Sequence, residues 1–307
     1  MLTSARTASV VLRFGHPMKT FRSSKTAAQM ALSRAIESRR PADERICFDP
    51  LAERFLGPAY RAVLIARPVR DAVESIIEGL FAGHHHYVLV RTRYVDDFLD
   101  EHLVNGVKQL VILGAGYDSR AHRFADRMRD VAVFEVDHPA TTRAKQARVA
   151  TWGAAGAKVR YVPVDFDRDE LGTELERNGY RSEPRTIFLW EGVTPYVSAA
   201  GVDATLQFIR ANSGRQSRVL FDYVLQSVLD GTCTLRGARN ERDKMATTSE
   251  PFVFGIDEAR IESFLTGRGF TAVHDVGADD LRSRYLKGER ASRYVKPWWR
   301  IVHAQVA

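Results

Sequence analysis

The 307-residue chain predicts an α/β fold with a Rossmann-like, mostly parallel, seven-stranded sheet and helices on both faces. Three observations predict it. From Val107 onward, short apolar runs alternate with helical stripes of about ten to fifteen residues, the pattern of a sheet wound on both sides. The run Val111-Ile112-Leu113 ends in Gly114-Ala115-Gly116 and passes into an amphipathic segment, which reads as strand, tight turn and helix. Twenty-one residues past Gly116, a second run, Phe134-Glu135-Val136-Asp137, closes on acids.

The elements follow in chain order. Residues 1–24 are rich in Ser, Thr and Arg, and no acid occurs before Glu37. That composition suits a transit peptide, a disordered leader, or a start assigned too early with Met18 as the true start; the disordered leader is the favoured reading. Residues 25–104 read as a helical cap. Met30, Ala31 and Ala35 share one face, Asp49-Pro50 opens a further helix, and Val95, Phe98, Leu99 and Leu103 recur at helical spacing. Residues 105–307 form the sheet core, with strands expected at 107–113, 131–136, 158–164, 186–190, 217–224, 270–276 and 294–304. Helical stripes lie between them at Ala121, Phe124, Ala125 and Met128, at Val202, Leu206 and Ile209, and at Ile261, Phe264 and Leu265. Residues 225–255 break the alternation and read as a lid-like insertion. Trp298-Trp299 are expected to pack the sheet edge.

Composition excludes several classes. Apolar content is 45%, ordinary for a globular chain, and no apolar stretch is long enough to span a bilayer. The two cysteines, Cys47 and Cys233, form neither a disulfide framework nor a ligand spacing, which fits a reducing cytosol. His84-His85-His86 lacks a fourth ligand at a metal-site spacing and reads as a polar helix end. The net charge of +7 is uneven: residues 1–70 carry 13 Lys/Arg against 5 acids, and residues 281–307 carry 7 against 1. A basic rim around an acidic core suits an anionic small molecule. No basic-aromatic interleaving of the kind that stacks bases is present.

In an open parallel sheet, ligands sit beyond the C-terminal strand ends. Acids cluster there: Asp137, Asp165 with Asp167, and Glu191. Clustered carboxylates repel one another, so a polar ligand with hydroxyl and cationic groups would reward them. A glycine turn followed by a spaced acid holds an adenosine, the turn admitting backbone to the ligand and the acid taking the ribose hydroxyls. Dinucleotide sites want a third small residue so that the helix N-terminus meets a pyrophosphate. Here Tyr117-Asp118 precede Ser119 in the turn. An acid there opposes a pyrophosphate and tolerates a sulfonium, which favours S-adenosyl-L-methionine over a nicotinamide dinucleotide.

These motifs, Leu113-Gly114-Ala115-Gly116-x-Asp118-x-Arg120, Phe134-Glu135-Val136-Asp137-x-Pro139 and Glu191-Gly192-x-x-x-Tyr196, resemble those of the leucine carboxyl methyltransferase family, which includes tetracenomycin-type polyketide O-methyltransferases. Thr26-Ala27, Arg34-Ala35, Asp49-Pro50 and Arg91-Thr92-Arg93 are similar too, so the likeness covers about residues 23–305. It implies a class I methyltransferase fold and a methyl transfer from S-adenosyl-L-methionine to a carboxylate or phenolic oxygen of a small metabolite. It also implies roles. Arg91 would clamp the methionine carboxylate, with Arg93 as fallback; Gly114, Ala115 and Gly116 would bring backbone to the cofactor; Asp137 would take the ribose; Asp165 and Phe166 would frame the adenine; Glu191 would face the methionine ammonium. Tyr196 matches a tyrosine near the methyl group and would orient the acceptor. A carboxylate acceptor needs no base, whereas a phenol does. His122, His274 and the 84–86 run are available, and none is placed by a motif. The expected partner is an anionic small molecule, with neither nucleic acid nor membrane; the usual Asn/Asp-Pro-Pro-Tyr tetrapeptide of nucleic-acid methyltransferases is absent. A non-catalytic S-adenosylmethionine-binding regulator and a nicotinamide oxidoreductase are the competing readings, and oligomeric state stays open.

Overall fold

The computed structural model describes residues 25–104, 106–152, 158–165, 168–248 and 250–307. Phe166, Asp167 and residues 1–24, on which three of the expectations above fall, lie outside the described residues. Four helices precede the sheet: α1 (Lys25–Ser38), α2 (Pro58–Val63), α3 (Arg67–Leu80) and α4 (His84–Leu103). The remainder alternates: β1 (Gln109–Leu113), α5 (Arg120–Arg123), β2 (Ala132–Asp137), α6 (Pro139–Val149), β3 (Val159–Pro163), α7 (Leu171–Arg177), β4 (Thr186–Trp190), α8 (Ala199–Ala211) and β5 (Arg218–Val224). The 225–255 stretch carries α9 (Gln226–Leu229) and α10 (Ala238–Ala246), and α11 (Ile261–Thr266), β6 (Phe270–Val276), α12 (Ala278–Tyr285) and β7 (Trp299–Val306) complete the chain.

The seven strands form one sheet in the order β3-β2-β1-β4-β5-β7-β6. The first five are parallel, and β7 runs antiparallel between β5 and β6. The central strands are apolar after their first residue, Gln109 or Thr186, because both faces are covered: every residue of β1 and β4 is buried. β7 begins at Trp299 rather than at 294, since Pro297 cannot donate a ladder hydrogen bond. Along β7 the half-buried Arg300, His303 and Gln305 interrupt the buried residues, the alternation of an antiparallel strand with one less covered face.

Two cores hold the molecule. The larger joins the sheet to α4 through Tyr87, Leu89, Val90, Val95, Phe98 and Leu99. The smaller sets Ala31, Leu32, Ala35 and Ile36 of α1 against Phe55, Leu56, Leu64 and Tyr117. Tyr117 lies in the β1 turn and stacks on Phe55 with ring centroids 5.1 Å apart, so the N-terminal helices are fastened directly to the glycine turn. Local signals explain the helix starts near the strand ends. Pro139 occupies the first turn of α6 and His138 Nδ1 accepts from the Ala140 N–H, while the Ser198 hydroxyl accepts from Gly201 N–H at the start of α8. Among the described residues, no helix is long and apolar enough to cross a membrane.

Candidate cofactor and acceptor site

The strand order changes direction between β1 and its neighbours β2 and β4, and a crevice opens there beyond the C-terminal strand ends. A cavity of about 230 Å³ occupies it. Its walls include Arg91, Gly114, Ala115, Gly116, Asp137, Glu191 and Tyr196, so the fold brings seven of the expected site residues together. Asp165 follows β3 and is not part of that wall; its backbone N–H donates to Asp169 and its carboxylate lies 3.7 Å from Arg168.

The β1–β2 end is built from backbone. Gly114 sits at φ +67°, and a Cβ there would collide with Val193 in the segment after β4. Only glycine therefore lets the two strand-end segments approach. Asp137 ends β2 with each carboxylate oxygen in a hydrogen bond, Oδ2 to the Gly116 N–H at 2.6 Å and Oδ1 to the His138 N–H at 2.6 Å. Burial pushes its acidity down, against those two amides, and the carboxyl titrates above its usual range. Each oxygen keeps lone pairs for further donors. Glu135, the other acid of the motif, points elsewhere: it is buried 2.6 Å from Lys145, with burial raising its pKa to about 7.

Behind the turn runs a buried ionic chain. Arg91 reaches Glu191 at 2.8 Å and Asp222 at 2.5 Å. Arg120 reaches Glu191 at 2.7 Å, Asp118 at 2.6 Å and Asp96 at 2.7 Å. Arg123 continues from Asp96 at 2.8 Å to Asp49 at 3.5 Å, and Arg34 meets Asp49 at 2.9 Å while donating to the Tyr117 carbonyl. Burial works against ionising Glu191, but Arg120 and Arg91 outweigh it and hold the carboxyl below its usual range. Asp118 is likewise held down, against burial, by Arg120. Its charge is therefore matched within the protein, which removes most of the weight it carries as an isolated acid in the turn. Asp222, on β5, is a residue the sequence reasoning missed. Its Oδ1 accepts from the Gly192 N–H at 2.6 Å, fixing the segment after β4, while Oδ2 holds Arg91. A charged residue inside the run Val219-Leu220-Phe221-Asp222-Tyr223 was the available signal.

The β7 end is different. Trp299 opens β7 opposite Val224, at the C-terminal end of β5, so Lys296 and Trp299 enter the cavity from the far side of the crevice. The tryptophans do not pack the sheet edge, because β7 is paired on both sides: Trp298 is buried with its indole N–H on Glu241, and Trp299 donates to Glu241 while lining the cavity. Tyr196 packs against Phe252 of the 225–255 stretch, with ring centroids 5.7 Å apart. Burial raises its hydroxyl far above the normal phenol range, with Glu241, Glu250 and Asp222 adding to the effect. It stays protonated at neutral pH. His84 lines the same end, His85 is buried behind it, and His86 contacts Glu74. His122 packs against Trp152, and His274 is exposed on β6 beside His303. Among the described residues, no cluster of His, Cys, Asp and Glu could hold a metal ion.

Comparisons with known proteins bear on the family and the fold. The sequence model of the leucine carboxyl methyltransferase family matches residues 27–210. A Mycolicibacterium smegmatis protein named as an S-adenosyl-L-methionine-dependent methyltransferase is 32% identical over 80% of this chain and 81% of its own length. A second protein of that organism, with the same name, is 34% identical over 63% of this chain; the match spans 61% of that relative's length. Two solved structures share the fold at 11% identity. One is a DUF574-family protein of Streptomyces avermitilis, with a TM-score of 0.56 over 90% of this chain and 97% of that one. The other, described as a methyltransferase of Thermobifida fusca, has a TM-score of 0.55 over 89% and 94%.

Proposed function

The chain belongs to the leucine carboxyl methyltransferase family of S-adenosyl-L-methionine-dependent methyltransferases, and from that premise we propose that it methylates a carboxylate or phenolic oxygen of a small, anionic metabolite. The observation that carries the reading is the single cavity, with an adenosine-type end at Gly114–Gly116 and Asp137 and a donor- and aromatic-lined end at Tyr196, Lys296 and Trp299. The residues fit S-adenosyl-L-methionine. Asp137 has lone pairs free for ribose hydroxyls, and Glu191 stands beside Arg91 as a carboxylate and guanidinium pair matched to an amino-acid end. The ionic chain named above contains four guanidiniums, Arg34, Arg91, Arg120 and Arg123, and five carboxylates, Asp49, Asp96, Asp118, Glu191 and Asp222. That residual negative charge suits a cationic donor.

Bound S-adenosyl-L-methionine supplies a methyl group already activated by its sulfonium. The protein's share of the work is alignment and exclusion of water. Pro251 and Val253 line the cavity from the 225–255 stretch, and the Val253 N–H donates to the Pro195 carbonyl at 2.7 Å, pinning that stretch beside Tyr196. The Tyr196 hydroxyl donates to the acceptor oxygen and fixes its direction. An acceptor that arrives ionised needs no proton removed.

The experiment is methyl transfer from radiolabelled S-adenosyl-L-methionine to a panel of small carboxylic acids and phenols. Label that is released by mild alkali is a methyl ester, and label that survives is an aryl ether. Transfer to amines alone would overturn the reading.

A further inference from the structure

Several basic residues from the two basic segments of the sequence are paired with carboxylates. Arg34, Arg40, Arg293 and Arg300 each sit within ion-pair distance of an acid, and on the cavity wall so do Arg91 and Arg120. Lys296 is placed differently. It is buried, it lines the β7 end of the cavity, and it is fixed at both its backbone and its head group. Its N–H donates to the Gly83 carbonyl at 3.4 Å, and Gly83, at φ +74°, passes so close that a Cβ would lie 2.5 Å from the Lys296 nitrogen. Its Nζ lies 2.9 Å from Glu241 Oε1 and 2.9 Å from His84 Nδ1. It also lies 4.3 Å from the Trp299 ring centroid and 5.3 Å from that of Tyr87.

An ammonium has three protons to donate. Glu241 and His84 take two, which leaves one among the aromatic rings of the cavity. Glu241 is itself fixed by two further donors, Trp298 Nε1 on Oε2 at 2.9 Å and Trp299 Nε1 on Oε1 at 3.3 Å. With Nδ1 accepting from Lys296, the proton of a neutral His84 rides on Nε2, so the imidazole offers a donor in place of a base. Burial, then Lys296 and Arg91, disfavour a second proton on it. Glu250 is a carboxylate of the same cavity wall and is held by the Thr26 hydroxyl at 3.1 Å.

We propose that Lys296, with His84 beside it, receives an anionic group of the methyl acceptor and thereby determines which acceptors are used. The proposal rests on the methyl-transfer reading above and adds the residues that select the acceptor. Glu241 is a positioning residue, and it comes from the 225–255 stretch, so that stretch contributes to selectivity through Lys296. A buried lysine–carboxylate pair is weak evidence for stability, since apolar replacements of such pairs are often neutral. Its position on a cavity wall is what gives the pair a role.

The test uses the full-length protein loaded with S-adenosylhomocysteine. Aromatic carboxylic acids and the primary amides of the same skeletons are titrated into it by calorimetry. The wild type is expected to favour the acids by at least about tenfold, the worth of one charge-assisted hydrogen bond. The pair is then removed together as Lys296→Met with Glu241→Gln, so that no charge is left buried alone. The double variant is expected to melt as the wild type does, to bind S-adenosylhomocysteine within about twofold of it, and to lose the preference for acids. Lys296→Arg is expected to retain part of that preference. Equal or absent preference in the wild type, or a preference that survives in the double variant, overturns the proposal. Failure of S-adenosylhomocysteine to bind the wild type would instead strike the methyl-transfer reading.

Discussion

At the β1–β2 end of the cavity, the glycine turn and its acid come from one stretch, Gly114 to Asp137, and most of the groups they offer are backbone, with Ala27 and Met30 of α1 beside them. At the β7 end, His84, Tyr196, Glu241 and Lys296 come from four distant parts of the chain, and the groups are side chains. The first end is held by backbone geometry and by one carboxylate, that of Asp137. The second is held by a buried ion pair and three indole and imidazole contacts, and its chemistry changes with any one of them. A common cofactor with variable acceptors is the functional counterpart of such a division.

The largest expected effect comes from cutting the ionic chain behind the glycine turn. Arg120 holds Asp96, Asp118 and Glu191 at once. Arg120→Met leaves those carboxylates buried with fewer partners and is expected to cost about 3–5 kcal/mol of stability. Urea unfolding measures it, as a lower midpoint with an unchanged slope. A midpoint like that of the wild type would mean that packing alone holds the turn in place.

Asp137→Ala comes next. It removes an acceptor for ribose and also frees the Gly116 N–H. Two hydrogen bonds to a carboxylate are each worth roughly 1.5–3 kcal/mol, so affinity for S-adenosylhomocysteine should fall by at least about tenfold while the fold persists. An unchanged affinity would separate the motif from the ligand, and Glu135 could not take over, because it is committed to Lys145.

The difference between the ends also explains what the sequence disclosed. Strand, glycine turn, helix and spaced acid are local, and periodicity reads local structure well. All seven strands were foreseen, β7 starting later than expected. Asp222 was passed over because it lies inside an apolar run, and Lys296 because two tryptophans after it suggested packing. Neither the pairing of Lys296 with Glu241 nor that of Arg91 with Asp222 has a spacing rule, since 55 and 131 residues separate the partners. Only the tertiary fold brings them together.

A smaller effect concerns the helices behind the β7 end. Glu74 on α3 lies 3.2 Å from His86 Nε2 and 3.8 Å from His85 on α4. Burial works against its charge, but the His86 hydrogen bond, His85 and Arg40 outweigh it and bring its pKa to about 2. Burial, against the pull of Glu74, brings His85 down to about 3. Both folded values lie below their unfolded ones, so the unfolded chain binds more protons in acid and stability rises with pH. The contribution is complete above about pH 6.5, the unfolded value for histidine, and is lost as pH falls towards 3 and then 2. Thermal melts of the wild type from pH 7 to pH 4 should show falling midpoints, and Glu74→Gln with His85→Phe should flatten the fall. A profile as steep in that double variant would place the acid sensitivity elsewhere.

The claim on which both ends depend is that the glycine turn and Asp137 hold S-adenosyl-L-methionine. Calorimetric titration of the wild-type protein with S-adenosylhomocysteine and, separately, with NAD tests it most directly. The account predicts binding of S-adenosylhomocysteine with a Kd on the order of micromolar, about −8 kcal/mol, and no measurable heat with NAD. Tighter binding of NAD than of S-adenosylhomocysteine would contradict it.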